Sequence, residues 1–490
     1  MSQSEIKFTQ KIKAICFFII ISILTITLAI MRNPDSDMYW MIETGRYIYK
    51  NKTVPYTNPW IFTKNIPVIV QQPLCALLNY FFYCLGGLEH MWIFAICENI
   101  FLLIVSYQVA SKLYATKFPN KEKTSFFLIG EFILLNCGMI TTRPYILTTL
   151  NMVILVGSLF TYKKKHNFKK QAICIALITL FQANFQMASL IAIPCFISCF
   201  FIGEITRNLY YKEKQNFKSL LKWMFFYIEF IIVSFVNPYG INGSLYLFKS
   251  QKAIHLLKDV ISETKSPQSF SMLGLLILLT LISIVYLIKK KLADMPLIYL
   301  CIGSVFSTTI ALRNAWMLYI YFVFCFIRIL PCVRNCYWYS HISKLGLKIY
   351  RIAIMVLTII ILFAGFSNIQ KIGTNHTDIN DLFEIVKNIP DNEKIYTTFN
   401  TGGFMEYAGR KCYIDARPEL YESSITNGKN ILQEWYDLEY AGKINIDTFI
   451  KENDFQYFLI RKLSNLDVYF KYRESEIEWE NEKYILYKLN

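Results

Sequence analysis

Residues 145–165 read YILTTLNMVILVGSLFTYKKK, an apolar run from Tyr145 to Tyr162 that stops abruptly at Lys163-Lys164-Lys165. An uncharged segment of that length suits a bilayer, and lysines at one end suit the cytoplasmic headgroups. The pattern recurs along the chain. Apolar runs bounded by lysine clusters are Ala14–Met31, Leu88–Ala110, Ser125–Ile140, Tyr145–Tyr162, Gln171–Ala183, Met187–Gly203, Trp223–Val236, Phe270–Ile288, Met295–Leu312, Ala315–Leu330 and Ile349–Ser367, which gives eleven predicted spans. Composition agrees: of 490 residues, 54% are hydrophobic, 16% aromatic and only 18% charged. A soluble protein of this size needs a more charged surface.

The net charge of +16 raises the question of nucleic acid, and its distribution answers it. Residues 1–367 hold 36 Lys+Arg against 14 Asp+Glu, whereas residues 368–490 hold 15 against 21. The positive excess belongs to the apolar part, in alternate loops such as Lys112–Lys123, Lys163–Lys170, Arg207–Lys222 and Lys289–Lys291. No nucleic-acid partner is expected from that arrangement; a lipid bilayer is. The positive-inside rule makes those loops cytoplasmic, with the N-terminus inside and, for an odd number of spans, the C-terminal tail outside a plasma membrane. The first run lacks a small-residue cleavage site and reads as an anchor. Most of the thirteen cysteines lie in apolar segments, so no disulfide framework is implied, and Cys332 with Cys336 alone is not a zinc site.

Three outer regions follow: a first loop from Arg32 to about Gly87, the stretch Asn237–Ser269, and the tail. The apolar stretch Pro73–Gly86 within the first loop is too short to span and is expected along the interface or re-entering. The chain therefore divides into a transmembrane domain, 1–367, and an extracytoplasmic domain, 368–490, with an α/β pattern. In the tail, Asp378–Ile389, Ile425–Tyr440 and Ile446–Glu452 are helix-like, and Lys394–Phe399, Lys411–Asp415, Phe455–Arg461 and Tyr484–Leu489 are strand-like. Gly402-Gly403 reads as a turn needing positive φ.

The first loop opens with Asn33-Pro34-Asp35-Ser36-Asp37-Met38-Tyr39-Trp40. Two aspartates just outside a membrane helix either hold a divalent metal through hard oxygens or supply a general base, or else cap the next helix. Further polar residues fall at the predicted outer ends of spans: Arg46, Arg143, Asn184, Gln186, Glu263 and Arg313. Their convergence on one face suggests an outward cavity, against the plainer reading that they end helices or anchor at lipid phosphates. In the tail, Asp415 and Arg417, two apart on a predicted strand, share a face and form either a salt bridge or an acceptor site.

These motifs, in this order, resemble those of multi-spanning proteins of the C-type glycosyltransferase (GT-C) superfamily, in particular a bacterial branch. That branch shows Asp-Pro-Asp-x-Trp-Trp-His before Thr-Gly-Arg, then Arg-Pro, Asn-x-His, Asn-Pro-x-Gly and a late Arg-Asn pair. Its tail carries a Trp-Gly-Gly-Tyr-like turn and an Asp-Gly-Arg-x-x-x-Tyr-like strand. The counterparts here are Asp35–Met41, Thr44-Gly45-Arg46, Arg143-Pro144, Asn184-Phe185-Gln186, Asn237-Pro238-Tyr239-Gly240, Arg313-Asn314, Thr401–Phe404 and Asp415–Tyr421.

The resemblance implies a GT-C-like helical bundle and an inverting transfer of sugar from a polyprenyl-phosphate donor to a surface glycan or glycolipid. It makes Asp35 and Asp37 the catalytic candidates, one as base and the other orienting the acceptor or binding a divalent cation (Mg or Mn). Arg46, Arg143 and Arg313 would meet the departing phosphate. The sequence departs from the branch at Met41 and Gln186, where relatives carry histidine. The rival readings are a carrier for lipid-linked glycans, which would depend on intramembrane acids such as Glu98, and a GT-C scaffold without activity.

Overall fold

The computed structural model describes residues 37–88, 91–113, 144–212, 217–249, 265–268, 271–290, 294–334, 377–423 and 430–489, together with 426 and 428. The predicted spans Ala14–Met31, Ser125–Ile140 and Ile349–Ser367 lie outside those residues. Each of the other predicted spans carries a helix: Met91–Leu113, Tyr145–Lys165, Phe168–Phe185, Ala192–Tyr210, Phe217–Ser234, Met272–Lys289, Met295–Ile310 and Ala315–Arg334. Among the described residues, Tyr145–Lys165 and Met187–Tyr210 are long and apolar enough to cross a membrane.

The chain forms two compact units. The first contains Ala95–Asn237 and Asp259–Gln370 with the N-terminal segment. Its connections are short and capped. His166 closes the helix Tyr145–Lys165 in the left-handed region, at φ 52°, and the Asn167 side chain accepts from the Lys170 N–H to start the next helix. Small residues allow close helix crossings: a Cβ on Gly203 would lie 2.7 Å from the Pro296 ring. The interior between helices is partly polar. Thr148 donates to Gln186 Oε1 at 2.6 Å, Gln182 Nε2 donates to Thr148 Oγ1 at 3.1 Å, and Asn151 Nδ2 donates to Gln182 Oε1 at 3.0 Å.

The second unit joins Asn33–Phe94 and Pro238–Lys258 to Lys371–Asn490. The sequence division at 367/368 gave the tail a domain of its own; this unit also holds the first loop and residues 238–258. Its sheet has the order β1-β2-β4-β3, with β1 Ile395–Thr397, β2 Tyr457–Arg461, β3 Glu476–Glu480 and β4 Tyr484–Lys488. Strands β1 and β2 run parallel and the other pairs antiparallel. The central strand β2 is buried over Tyr457–Ile460, and the Tyr396 ring stacks on Phe458 at 4.7 Å in the core. The edge strand β3 is studded with glutamates, which keep an open edge from pairing with another chain.

Two expectations for the tail need correction. Lys411–Asp415 is not a strand: only Cys412 pairs, in an isolated bridge with Ile61 of the first loop. Gly402 and Gly403 do not make a positive-φ turn but begin the helix Gly402–Tyr407. Glycine is required there for closeness instead. A Cβ on Gly402 would sit 2.0 Å from the Ile414 carbonyl oxygen, and one on Gly403 would sit 3.3 Å from Trp40.

The first loop folds as two helices, Asp37–Asn51 and Pro73–Gly86. They meet at Gly45, where a Cβ would lie 2.1 Å from the Ala76 carbonyl oxygen. Between them, backbone bonds from Asn58 N to Ile66 O (2.8 Å) and Val68 N to Tyr56 O (3.0 Å) tie off a hairpin-like loop. Tyr239 clamps it: its hydroxyl accepts from the Val70 N–H at 3.1 Å and donates to the Pro55 carbonyl at 2.9 Å.

Candidate active site

Asp37 is the first residue of the helix Asp37–Asn51, where an acid side chain meets the positive end of the helix dipole. It faces Glu419, carried by the short turn Pro418–Tyr421 of the tail. Gln71 donates to Glu419 Oε1 at 2.6 Å. Burial pushes the Glu419 carboxyl up to about 7; Asp415 and Asp37 add to this, while a backbone N–H and Arg417 oppose it. The fully buried Tyr246, on the helix Ile241–Lys249, lies beside the same carboxylate, which with burial raises its phenol. Three separate segments of the chain therefore meet at one polar cluster.

Behind it stands an interior ion cluster. The Arg417 guanidinium donates to Asp415 from Nε at 3.0 Å and from Nη2 at 2.6 Å, and to Glu406 from Nη2 at 2.5 Å. The Arg417 backbone N–H also donates to Asp415 Oδ1 at 2.7 Å. That turn-like bond, not a strand, brings the two side chains onto one side. Tyr421 donates its hydroxyl to Asp415 as well. The guanidinium lies over two indoles, 4.9 Å from the Trp40 ring and 5.1 Å from the Trp60 ring.

Burial alone would raise the Asp415 carboxyl, but the Arg417 charge and the hydrogen bonds of Arg417 and Tyr421 hold it below its ordinary value. Glu406 goes the other way: burial, with the neighbouring Asp415 charge, outweighs Arg417 and keeps it raised. The two acids around the guanidinium are thus pushed in opposite directions, Asp415 down and Glu406 up.

A divalent cation was expected at Asp35 and Asp37, and Asp35 lies outside the described residues. Among the described residues, the acid and thiol groups that converge within 4.8 Å are Glu406, Cys412 and Asp415. That set does not fit a cation, because the Arg417 guanidinium already lies on both acids and would face the ion.

The other predicted site residues scatter. Arg143 and Glu263 lie outside the described residues. Arg46 pairs with Glu43 at 2.6 Å and lies against the rings of Tyr83 and Tyr407 at 5.9 and 5.6 Å. In the first unit, Asn184 donates to the Leu180 and Val236 carbonyls, Gln186 belongs to the buried Thr148–Gln182 network, and Arg313 is exposed in the turn Leu312–Asn314. Met41 is buried, with its sulfur accepting from Asn79 at 3.7 Å. Sequence reasoning missed Glu419, Gln71 and Tyr246. Glu419 stands inside the Asp415–Tyr421 motif and was within reach; nothing local marks Tyr246.

Glu419 has a pH signature. Between its ordinary value of 4.5 and about 7, the folded chain holds a proton that the unfolded chain has released. Its contribution to stability therefore falls as pH rises through that window. Glu419→Gln is expected to flatten this part of the curve, gaining on the wild type from pH 4.5 to pH 8 in thermal melts. Parallel curves would show that Glu419 is not held protonated.

No protein-family model matches the sequence, and no curated protein matches it either. Solved structures do. The Archaeoglobus fulgidus oligosaccharyltransferase in its apo form aligns at 10% identity over 91% of this chain and 69% of that one, with a TM-score of 0.60. The same organism's oligosaccharyltransferase AglB, in complex with an inhibitory peptide and a dolichol-phosphate, aligns at 9% identity over 92% and 70%, with a TM-score of 0.59. ArnT from Cupriavidus metallidurans, bound to undecaprenyl phosphate, aligns at 10% identity over 98% of both chains, with a TM-score of 0.52. These likenesses show that this chain shares the fold of the oligosaccharyltransferase and ArnT structures.

Proposed function

We propose that the protein is a multi-pass glycosyltransferase of the plasma membrane. It moves a sugar from a polyprenyl-phosphate donor to a surface glycan or glycolipid on the outer face, inverting the anomeric centre. The observation that carries this reading is the meeting of the first-loop acid Asp37 with Glu419, Gln71 and Tyr246 in a chain of GT-C fold. Support for the donor class comes from the lipid phosphates bound by the structural neighbours.

In this reading Asp37 takes the proton of the acceptor hydroxyl while its oxygen attacks the anomeric carbon. The bond from that carbon to the phosphate oxygen breaks, and the polyprenyl phosphate leaves with the negative charge. Asp35 orients the acceptor or holds a cation. Glu419, near half-protonation at neutral pH, shares the proton with Asp37. Arg143 and Arg313 neutralise the phosphate, and Asn184, Gln186 and Glu263 bind the sugar. Asp415, Arg417 and Arg46 position the first loop. Eleven spans, an inner N-terminus and an outer tail complete the arrangement.

The test is mass spectrometry of lipid-linked sugars and surface glycans in a strain lacking the gene. Accumulation of a polyprenyl-phosphate sugar, with one sugar missing from a surface glycan, is expected. One observation favours the carrier reading: both carboxylate oxygens of the buried Glu98 lack a hydrogen-bond partner among the described residues. A strain that accumulates a complete lipid-linked glycan, and is rescued by Asp37→Asn but not by Glu98→Gln, would overturn the transferase in favour of that carrier.

A further inference from the structure

A cavity of about 230 Å³ opens in the first unit where several helix ends meet. Its wall includes Lys163 from the last turn of Tyr145–Lys165, Arg207 from the last turn of Ala192–Tyr210, and Arg328 from Ala315–Arg334. Asp294, which precedes the helix Met295–Ile310, is the acid among them. It pairs with Lys163 at 2.8 Å and lies 3.9 Å from Arg328. Among the described residues that line it, three cations stand against one carboxylate in a concave space. Exposed Tyr210 and Tyr211 flank it.

Two features make this more than the ordinary scatter of lysines on a membrane protein. The cations come from three helices far apart in sequence, yet the fold brings them to one hollow. Lys163 and Arg207 also stand at helix C-termini, whose partial negative charge helps hold cations together that would otherwise repel. A phosphate group completes such a site: it brings negative charge, and guanidinium groups grip its oxygens in pairs. Tyrosines with one apolar face and a hydroxyl suit the headgroup level of a bilayer.

We infer that this cavity is a binding site for a phosphate group, supplied by an anionic phospholipid of the leaflet that the lysine-rich loops face. The inference rests on the membrane-spanning arrangement and not on the transferase chemistry. The residues of the site belong to the first unit and Asp37 and Glu419 to the second, so its loss leaves both acids in place. Its role is to fix the ends of these helices against the headgroups, which couples the packing of the first unit to the lipid around it.

The charge balance gives the test a sign that a purely structural cluster lacks. Full-length protein in a mild detergent is mixed with phosphatidylglycerol or phosphatidylcholine, and retained lipid is counted by native mass spectrometry. Wild type is expected to retain phosphatidylglycerol over phosphatidylcholine. Arg207→Gln should lower that preference about fivefold, the effect of one basic charge near an anionic headgroup. Asp294→Asn should raise it, because it removes the competing carboxylate while keeping the shape. If Asp294→Asn lowers retention, or Arg207→Gln leaves it unchanged, the inference fails. Inorganic phosphate is the second probe. If it displaces the lipid at low millimolar concentration, the phosphate site stands but its source is soluble; if it does not, the phospholipid is the ligand.

Discussion

Asp37→Asn is expected to give a protein that inserts, folds and still binds donor, yet transfers sugar at least about 100-fold more slowly. The asparagine is nearly isosteric and remains a good group for the start of a helix, so Asp37–Asn51 keeps its first turn. What it loses is the capacity to accept a proton from an acceptor hydroxyl. A second signature follows from the neighbouring acid. The Asp37 charge is one of the causes that hold the Glu419 carboxyl up near 7. Its removal should move the Glu419 transition to lower pH, visible as a shift in the stability profile of the purified variant. The two readouts separate mechanism from misfolding. Lost transfer with a shifted Glu419 transition places Asp37 in the reaction and beside Glu419. Full transfer by Asp37→Asn in a donor-lipid assay would sink Asp37 as the base.

Much of this was legible in the sequence because it rests on local patterns. Lysine clusters stop apolar runs, and the described helices follow them within a few residues, as at Tyr145–Lys165 and Met295–Ile310. Strands β2 and β4 are dense in aromatic and branched residues and were found nearly to the residue. Strand β3 was missed because Glu476-Ile477-Glu478-Trp479-Glu480 gives only two apolar positions before a bulge. Lys411–Asp415 looked like a strand because Cys412, Tyr413 and Ile414 are apolar, but Cys412 bonds to the first loop while Tyr413 packs on Tyr396, Phe449 and Phe455. Asp37 was legible through its motif. Its partners were not, since Gln71, Tyr246 and Glu419 are brought together by tertiary folding over hundreds of residues.

The glycines teach the same lesson. Gly402-Gly403 suggested a conformational need, whereas the structure shows a steric one: the Ile414 carbonyl leaves no room for a side chain at 402, and the Trp40 ring makes a tight fit at 403. A contact partner so distant in sequence leaves no local trace.

Replacing Arg417 by methionine is expected to cost on the order of 3–5 kcal/mol, the usual result of stranding one half of a buried ion pair. In a unit of this size that lowers the melting temperature by about 10 °C. Asp415 is fully buried, and only the guanidinium charge and hydrogen bonds keep its carboxyl low. Without Arg417 that carboxyl must rise, so the variant should be least damaged below pH 5 and most damaged above pH 7. In the wild type the sign is opposite: Asp415 contributes stability above its unfolded value and loses it as pH falls through the lower folded one. Burial raises the Glu406 carboxyl, so it depends less on a countercharge than Asp415 does. Adding Asp415→Asn to Arg417→Met should therefore recover most of the loss, since the asparagine still accepts from Tyr421 and carries no charge. Arg417→Lys should recover little, because an ammonium neither forks across Asp415 and Glu406 nor keeps a planar cation against Trp40 and Trp60. Trp40 and Trp60 are two of the eight tryptophans of the chain, so intrinsic fluorescence carries a component from the cluster. Trp40 sits in the helix that begins at Asp37, so losing Arg417 should also cut transfer in proportion to the loosened helix, and the double variant should restore both together. Unchanged melting of Arg417→Met at pH 8 would mean that the cluster does not hold the first loop, and transfer lost in that variant would then put Arg417 in contact with the acceptor.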